Sequence, residues 1–310
     1  MFPGTAVLLR VLFKADVDVD RRADALHLRV VGIPVSYTHL DVYKRQEFQI
    51  ENGTDAIITC GTTGEAATLS GEEHTKVIDF TITKVNGRVP VIAGTGSNDT
   101  RFAVELSKEA EALGADGLLL VTPYYNKTSQ RGLIESFSCI ADSVNIPCIV
   151  YNVPGRTGLN ILPETYFELS KHPNIVATKE ANHDVSALAK TMQLCGDNLT
   201  VYSGEDVQTL PILAMGGKGV ISVFANVLPK EMHALAAATL EGRLADARAM
   251  TSRYVDLMNA LFMDVNPIPV KAALNMMGFN CGRCRLPLTD MSAPMLEKLR
   301  AALGEHVKLA

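Results

Sequence analysis

The sequence is short of several things that would have named a function class outright. No apolar run reaches the roughly 18 residues that a membrane-spanning helix needs, so no transmembrane segment is expected. There is no basic excess: 29 Lys and Arg against 34 Asp and Glu give a net charge of −5 and a pI near 5.8. That balance argues against nucleic acid or an anionic membrane as a partner. Of the six cysteines only Cys281 and Cys284 form a C-x-x-C pair, with no second pair and no histidines nearby. A zinc site is therefore unsupported, and reduced structural thiols are expected. The seven histidines are scattered and none adjoins a serine or cysteine motif, which leaves a Ser-His-Asp type triad without support. Gly94-Thr95-Gly96 lacks the third glycine of a dinucleotide fingerprint, and Gly216-Gly217-Lys218-Gly219 lacks the spacing and hydroxyl of a P-loop. Arg10 and Lys14 interrupt the only apolar stretch near the N-terminus, so no clean signal peptide is read and a cytoplasmic protein is expected.

What is present is a globular composition, 47% hydrophobic and 20% charged over 310 residues, enough to bury a sizeable core. From Asp55 onward, short apolar runs alternate with helical patterns. The runs fall at 56–60, 89–93, 117–121, 148–151, 175–179, 199–203 and 219–223. They are continuous rather than alternating, as in a parallel sheet buried on both faces. Ser70 with Glu73 three residues on forms a capping box that should open a helix. Phe102, Ala103, Leu106, Ala110 and Leu113 make one helical stripe that should end at Gly114. With residues 5–13 as a first strand, the count is eight βα units over residues 1–228. The expected fold is α/β, a (β/α)8 TIM barrel. Helical patterns at 229–242, 244–263, 269–277 and 294–303 predict a C-terminal helical extension over 229–310. Residues 29–46 carry no helical stripe where the first barrel helix should run, and read as a foreign or artefactual segment.

The active site of such a barrel lies at the C-terminal ends of its strands. Strand two runs into Gly61-Thr62-Thr63-Gly64-Glu65, strand four into Tyr124-Tyr125, and strand five ends at Tyr151 ahead of Arg156. Strand six ends in Lys179-Glu180, strand seven in Gly204-Glu205-Asp206, and strand eight contains Ile221. A lysine ending an apolar strand is a desolvated ammonium, and desolvation favours the neutral, nucleophilic amine that forms imines. Taken alone, a strand-end lysine more often snorkels to solvent. Tyr151 and Tyr125 on nearby strands supply phenols for proton transfer, or are ordinary strand-end aromatics. The amides of Thr62 and Thr63, in a glycine-flanked turn, can hold a carboxylate, although such a segment is more often just a turn.

Gly61-Thr-Thr-Gly-Glu65, Tyr151-Asn-Val-Pro-Gly-Arg156, Lys179-Glu180 and Asn266-Pro-Ile-Pro-Val-Lys271 resemble the dihydrodipicolinate synthase family. That family belongs to the N-acetylneuraminate lyase superfamily of pyruvate-dependent class I aldolases. The resemblance runs from Glu47 to the C-terminus. It implies a Schiff base between Lys179 and pyruvate, and a proton relay from Tyr151 through the Thr62 hydroxyl to Tyr125, which arrives from a neighbouring subunit. It further implies that the Thr62 and Thr63 amides hold the pyruvate carboxylate. Arg156 would bind the carboxylate of L-aspartate 4-semialdehyde, with Gly204 and Ile221 lining the pocket. The implied product is 4-hydroxy-tetrahydrodipicolinate, on the lysine and diaminopimelate route, made without metal or organic cofactor by a homotetramer of two tight dimers.

Within the superfamily, Thr62-Thr63 and Arg156 favour this family over a sialic-acid lyase, whose neutral sugar chain offers no carboxylate at that position. Where the family has Gly-x-x-x-Ala-x-x-Thr-Pro on strand one, this chain has Val11-Leu12 in place of Thr-Pro. A barrel needs all its strands to close. A damaged N-terminal region therefore keeps a catalytically compromised, aldolase-derived chain as a second reading. His74, Asn98 and Tyr124 fall on positions of the family's lysine-feedback site, but Phe102 stands where a glutamate would meet the lysine ammonium and Gly71 replaces a histidine. An ammonium taken from water needs acceptors that a phenyl ring does not supply, so weak or absent feedback by lysine is expected.

Overall fold

The computed structural model describes residues 30–32 and 39–310, with side chains from residue 44 onward. Its first half runs β1 (Val30–Gly32), α1 (His39–Glu51), β2 (Ala56–Thr59), α2 (Gly71–Val85), β3 (Val91–Gly94), α3 (Thr100–Leu113), β4 (Gly117–Val121), α4 (Gln130–Asp142) and β5 (Cys148–Asn152). Next come α5 (Pro154–Thr157), α6 (Pro163–Leu169), β6 (Ile175–Glu180), α7 (Val185–Cys195), β7 (Thr200–Ser203), α8 (Thr209–Ala214) and β8 (Gly219–Ser222). Four helices complete it: α9 (Pro229–Leu240), α10 (Leu244–Ala260), α11 (Ile268–Met276) and α12 (Ala293–Gly304). The fold is α/β, a curled parallel sheet wrapped by helices. Each strand pairs with the next, and β1 pairs with both β2 and β8, so the ladder returns to its start.

The apolar strands bury both faces because side chains alternate along them. Ile58, Ile92, Leu119, Ile149, Tyr151, Ala177, Tyr202 and Ile221 point inward and fill the interior of the curl. Their neighbours Ala93, Leu118, Leu120, Val150 and Ile175 point outward, against Leu106, Leu133, Phe137 and Tyr166 of the helices. A further cluster, with Phe224, Leu235, Leu257, Val270 and Leu299, ties the four C-terminal helices to the β7–β8 side.

Local signals act as their chemistry predicts. Ser70 and Glu73 form the reciprocal capping box of α2. Gly114 ends α3 in the left-handed region at φ 97°. The glycines of Gly94-Thr95-Gly96 serve packing. A Cβ on Gly94 would lie 2.2 Å from the Cys60 carbonyl oxygen, and one on Gly96 would lie 2.2 Å from the Val121 nitrogen.

The N-terminal expectations need correction. Residues 5–13 lie outside the described residues, and the strand seated between β2 and β8 is Val30–Gly32. The physical reason is chain length: a strand near residue 31 followed by α1 makes a βα unit of ordinary size, whereas one ending at residue 13 leaves an overlong connection. Within the segment that lacks a helical stripe, residues 30–32 form β1 and 39–46 form the first turns of α1. Its apolar stripe is weak because Arg45, Gln46 and Gln49 occupy the buried face. Gln49 is satisfied, donating to the Ala225 carbonyl at 2.9 Å and accepting from Thr54 at 2.8 Å. The Gln46 amide oxygen is buried without a hydrogen-bond partner among the described residues, a cost of about 1–3 kcal/mol.

The C-terminal helices also grip the turn that follows β2. Lys271 of α11 and Glu65 form an ion pair at 2.6 Å, with side chains only 2% and 5% exposed. Lys271 also donates to the Arg283 carbonyl, and the Arg285 amide donates to the other Glu65 oxygen. A buried charge stripped of its partner is strongly unfavourable. Lys271→Met is therefore expected to lower stability by about 3–5 kcal/mol in urea unfolding, and a loss below about 1 kcal/mol would contradict the clamp.

Candidate active site

Lys179 and Tyr151 are register partners on adjacent parallel strands, and both point inward near the C-terminal ends of β6 and β5. The Lys179 ammonium lies over the Tyr151 ring, 4.4 Å from its centroid. They form the floor of a small cavity of about 40 Å³, also lined by Thr62, Thr63, Arg156, Gly204 and Ile221. Seven of the eight residues singled out from the sequence thus converge on one pocket. The eighth does not. Tyr125 has φ 67° and is 92% exposed, away from the pocket of its own chain.

Electrostatics follow from this burial. Desolvation lowers Lys179 from the ordinary 10.5 to about 8, opposed by the carboxylates of Asp206 and Glu205. Burial pushes the Tyr151 phenol up to about 12, with Arg156 pulling the other way. At neutral pH the phenol therefore keeps its proton, and its hydroxyl hydrogen-bonds to the Thr62 side chain.

The turn that follows β2 is held from several sides. Within it, the Gly64 amide donates to the Gly61 carbonyl and the Glu65 amide to the Thr62 carbonyl, both at 3.0 Å. Glu65 adopts φ 54°, a left-handed conformation that its partners Lys271 and Arg285 stabilise. Asn266, from the approach to α11, donates to the Thr63 hydroxyl at 3.0 Å. Its carbonyl accepts from the Arg156 guanidinium at 3.1 Å, so one residue touches both the inner turn and the arginine at the mouth.

Beside the pocket lies a larger cleft of about 430 Å³, lined in part by His74, Phe102 and Tyr124. The Phe102 ring faces Gly71, where an added Cβ would lie 3.8 Å away. His74 bonds the Gly94 carbonyl at 2.7 Å, and burial lowers its pKa. Asn98 accepts from Asn126 through its carbonyl at 2.8 Å.

Sequence reasoning named no role for Asn266, Glu205 and Asp206, nor for the layer behind the lysine. Asp206 is buried next to Lys179, and its Oδ2 accepts from the amides of Phe224 and Val223. Behind β5 and β6, Glu180 accepts from Tyr166 at 2.7 Å, from Asn152 at 3.0 Å and from the Asn182 amide at 2.7 Å. Burial raises the Glu180 carboxyl to about 7. The available signal was a carboxylate directly after the strand-end lysine, at a position that alternation turns away from the rim.

The profile of the dihydrodipicolinate synthetase family matches residues 41–306. The chain belongs to the dihydrodipicolinate synthetase family. Among relatives, the 4-hydroxy-tetrahydrodipicolinate synthase of Caldicellulosiruptor bescii is 55% identical over 306 residues, 99% of this chain and 97% of its own. That of Acetivibrio thermocellus is 55% identical over 260 residues, 84% of this chain and 88% of its own. The crystal structure of dihydrodipicolinate synthase from Aquifex aeolicus superposes with a TM-score of 0.89 at 44% identity, covering 91% of this chain and 98% of that one. As a family member the chain is a lyase of the class I aldolase type, and the depressed Lys179 fits that chemistry.

The neutral amine is the form that attacks a carbonyl. Reductive modification of Lys179 by a small aldehyde, followed by peptide mass against pH, should show a midpoint near 8 and a plateau above it. A midpoint at the ordinary 10.5 would show that the ammonium is not desolvated.

Proposed function

We propose that Lys179 captures pyruvate as an imine and that the chain condenses it with L-aspartate 4-semialdehyde to give 4-hydroxy-tetrahydrodipicolinate, on the route to diaminopimelate and lysine. The observation that carries this is the deprotonation-ready lysine packed over a protonated tyrosine in an enclosed pocket. The amine adds to the keto carbon of pyruvate, and loss of water from the carbinolamine leaves the imine. Removal of a methyl proton then gives an enamine, which attacks the aldehyde carbon. The amino group of the semialdehyde then adds to the imine carbon and expels the Lys179 amine, which closes the ring and frees the enzyme. Tyr151, hydrogen-bonded to Thr62, donates and recovers the protons these steps move. The Thr62 and Thr63 amides hold the pyruvate carboxylate, while Gly204 and Ile221 shape the pocket wall. Arg156, at the mouth and braced by Asn266, binds the carboxylate of the aldehyde with its planar fork.

We take the fold as a (β/α)8 TIM barrel over 1–228 with a helical extension over 229–310, supported by the β1–β8 pairing. We read residues 29–46 as foreign in sequence, although 30–32 and 39–46 supply β1 and the start of α1, and the unpaired Gln46 oxygen supports that reading. Every site residue lies beyond that segment, which favours an active enzyme over a compromised one. No observation favours a sialic-acid lyase. Tyr125 completes the relay in another protomer of a homotetramer, a role suited to its exposure. No helix among the described residues is long and apolar enough to cross a membrane. Cytoplasmic location and weak or absent lysine feedback through Phe102 belong to the same reading.

Arg156→Ala separates the two substrates. It should still form the pyruvate imine but lose about 1.5–3 kcal/mol of condensation efficiency, the typical worth of a charge-assisted contact. Condensation of aspartate semialdehyde at the wild-type kcat/KM would remove the assignment.

A further inference from the structure

Lys179 and Tyr151 face the pocket, and the residue after each faces away from it. Asn152 and Glu180 are register partners too, one step further along the same strands, and alternation sends them under the helices. There they meet directly: the Asn152 amide donates to the Glu180 carboxylate at 3.0 Å. The pair is buried, Glu180 4% and Asn152 0% exposed.

The network around them leaves little slack. Tyr166 of α6 donates its hydroxyl to Glu180 at 2.7 Å and accepts from Thr178 at 3.1 Å. Asn160 accepts from both Asn152 and Asn182, at 2.8 and 3.0 Å, and Asn182 returns its amide to Glu180. The Asn152 carbonyl takes the Ala181 amide at 2.9 Å, and the Glu180 carbonyl takes the Gly204 amide at 2.7 Å. Glu180 therefore joins β5, β6, α6 and the pocket-lining Gly204. An apolar residue would fill this position at lower desolvation cost, since burying a carboxyl is unfavourable unless its lone pairs are satisfied. Full satisfaction is what gives a buried polar network its rigidity.

We infer that Glu180, held by Asn152 and Tyr166, is a positioning residue that fixes the Lys179 amine over Tyr151 for imine formation. It touches no substrate and acts only through the strands that carry those two groups. The inference rests on the aldolase reading above. Misplacing a reacting group by about 1 Å can cost on the order of 100-fold in rate.

The test is the rate of pyruvate-imine trapping by borohydride, measured on wild type and on folded Glu180→Ala and Glu180→Gln, together with the KM for aspartate semialdehyde. Glu180→Ala should slow trapping at least about tenfold, while the KM, set at the mouth by Arg156, moves less than about twofold. Glu180→Gln keeps the size and an oxygen for Tyr166 but sets its NH2 against the Asn182 and Asn152 donors, and should trap at a rate between those of Glu180→Ala and wild type. A purely structural role would lower the melting temperature and leave trapping per folded molecule unchanged. Trapping by Glu180→Ala within about twofold of wild type overturns the inference. Should Glu180→Ala fail to fold, Tyr166→Phe removes a single hydroxyl from the network. It should slow trapping several-fold, and an unchanged rate overturns the inference equally. If wild type itself traps no pyruvate, the aldolase reading fails and the inference with it, an outcome distinct from equal trapping by wild type and variant.

Discussion

The structure turns on keeping an amine inside a dry parallel sheet. A strand side chain has two options, inward or outward, and at Lys179 the strand phase selects inward. Its neighbours are then the Tyr151 ring, the carboxylates of Asp206 and Glu205, and the Arg156 guanidinium. Desolvation outweighs the two carboxylates, so the lysine falls to about 8 rather than rising. Tyr151 moves the other way, to about 12, through the same loss of water. One physical cause thus produces an amine that sheds its proton easily beside a phenol that retains its own, the pairing on which the proposed imine chemistry draws.

Beyond its immediate neighbours, a second ring of residues holds this pair without touching it. The outward layer of Glu180, Asn152 and Tyr166 locks β5 to β6 from behind. The C-terminal segment locks the turn after β2, through Lys271 on Glu65 and Asn266 on Thr63. Arg285 extends that grip with two bonds to Glu73 and one to the Thr68 carbonyl. The helices after β8 thereby do more than cover apolar surface: they supply buried polar contacts to a turn whose backbone is left-handed at Cys60 and Glu65.

Strands two to eight were legible because each is a compact apolar run bounded by turn residues, and the capping box and Gly114 fixed helix ends for local reasons. The first strand was not. Val30–Gly32 is three residues long, and the longer apolar stretch at 5–13 outweighs it on periodicity alone. The first helix hid for a related reason, since Arg45, Gln46 and Gln49 erase the stripe that marks a buried face. At the site, strand-end position and family motif pointed to Lys179, Tyr151, Thr62, Thr63 and Arg156. The Glu65–Lys271 pair spans 206 residues of sequence and follows from no local pattern. The Glu180 layer escaped because attention to the rim considers only side chains that face it.

The measurement closest to the central claim is peptide mass spectrometry after borohydride reduction in the presence of pyruvate. The account predicts one pyruvate-derived mass on the peptide containing Lys179, absent from a folded Lys179→Ala variant. Label on any other lysine, or no label on folded wild type, would contradict it.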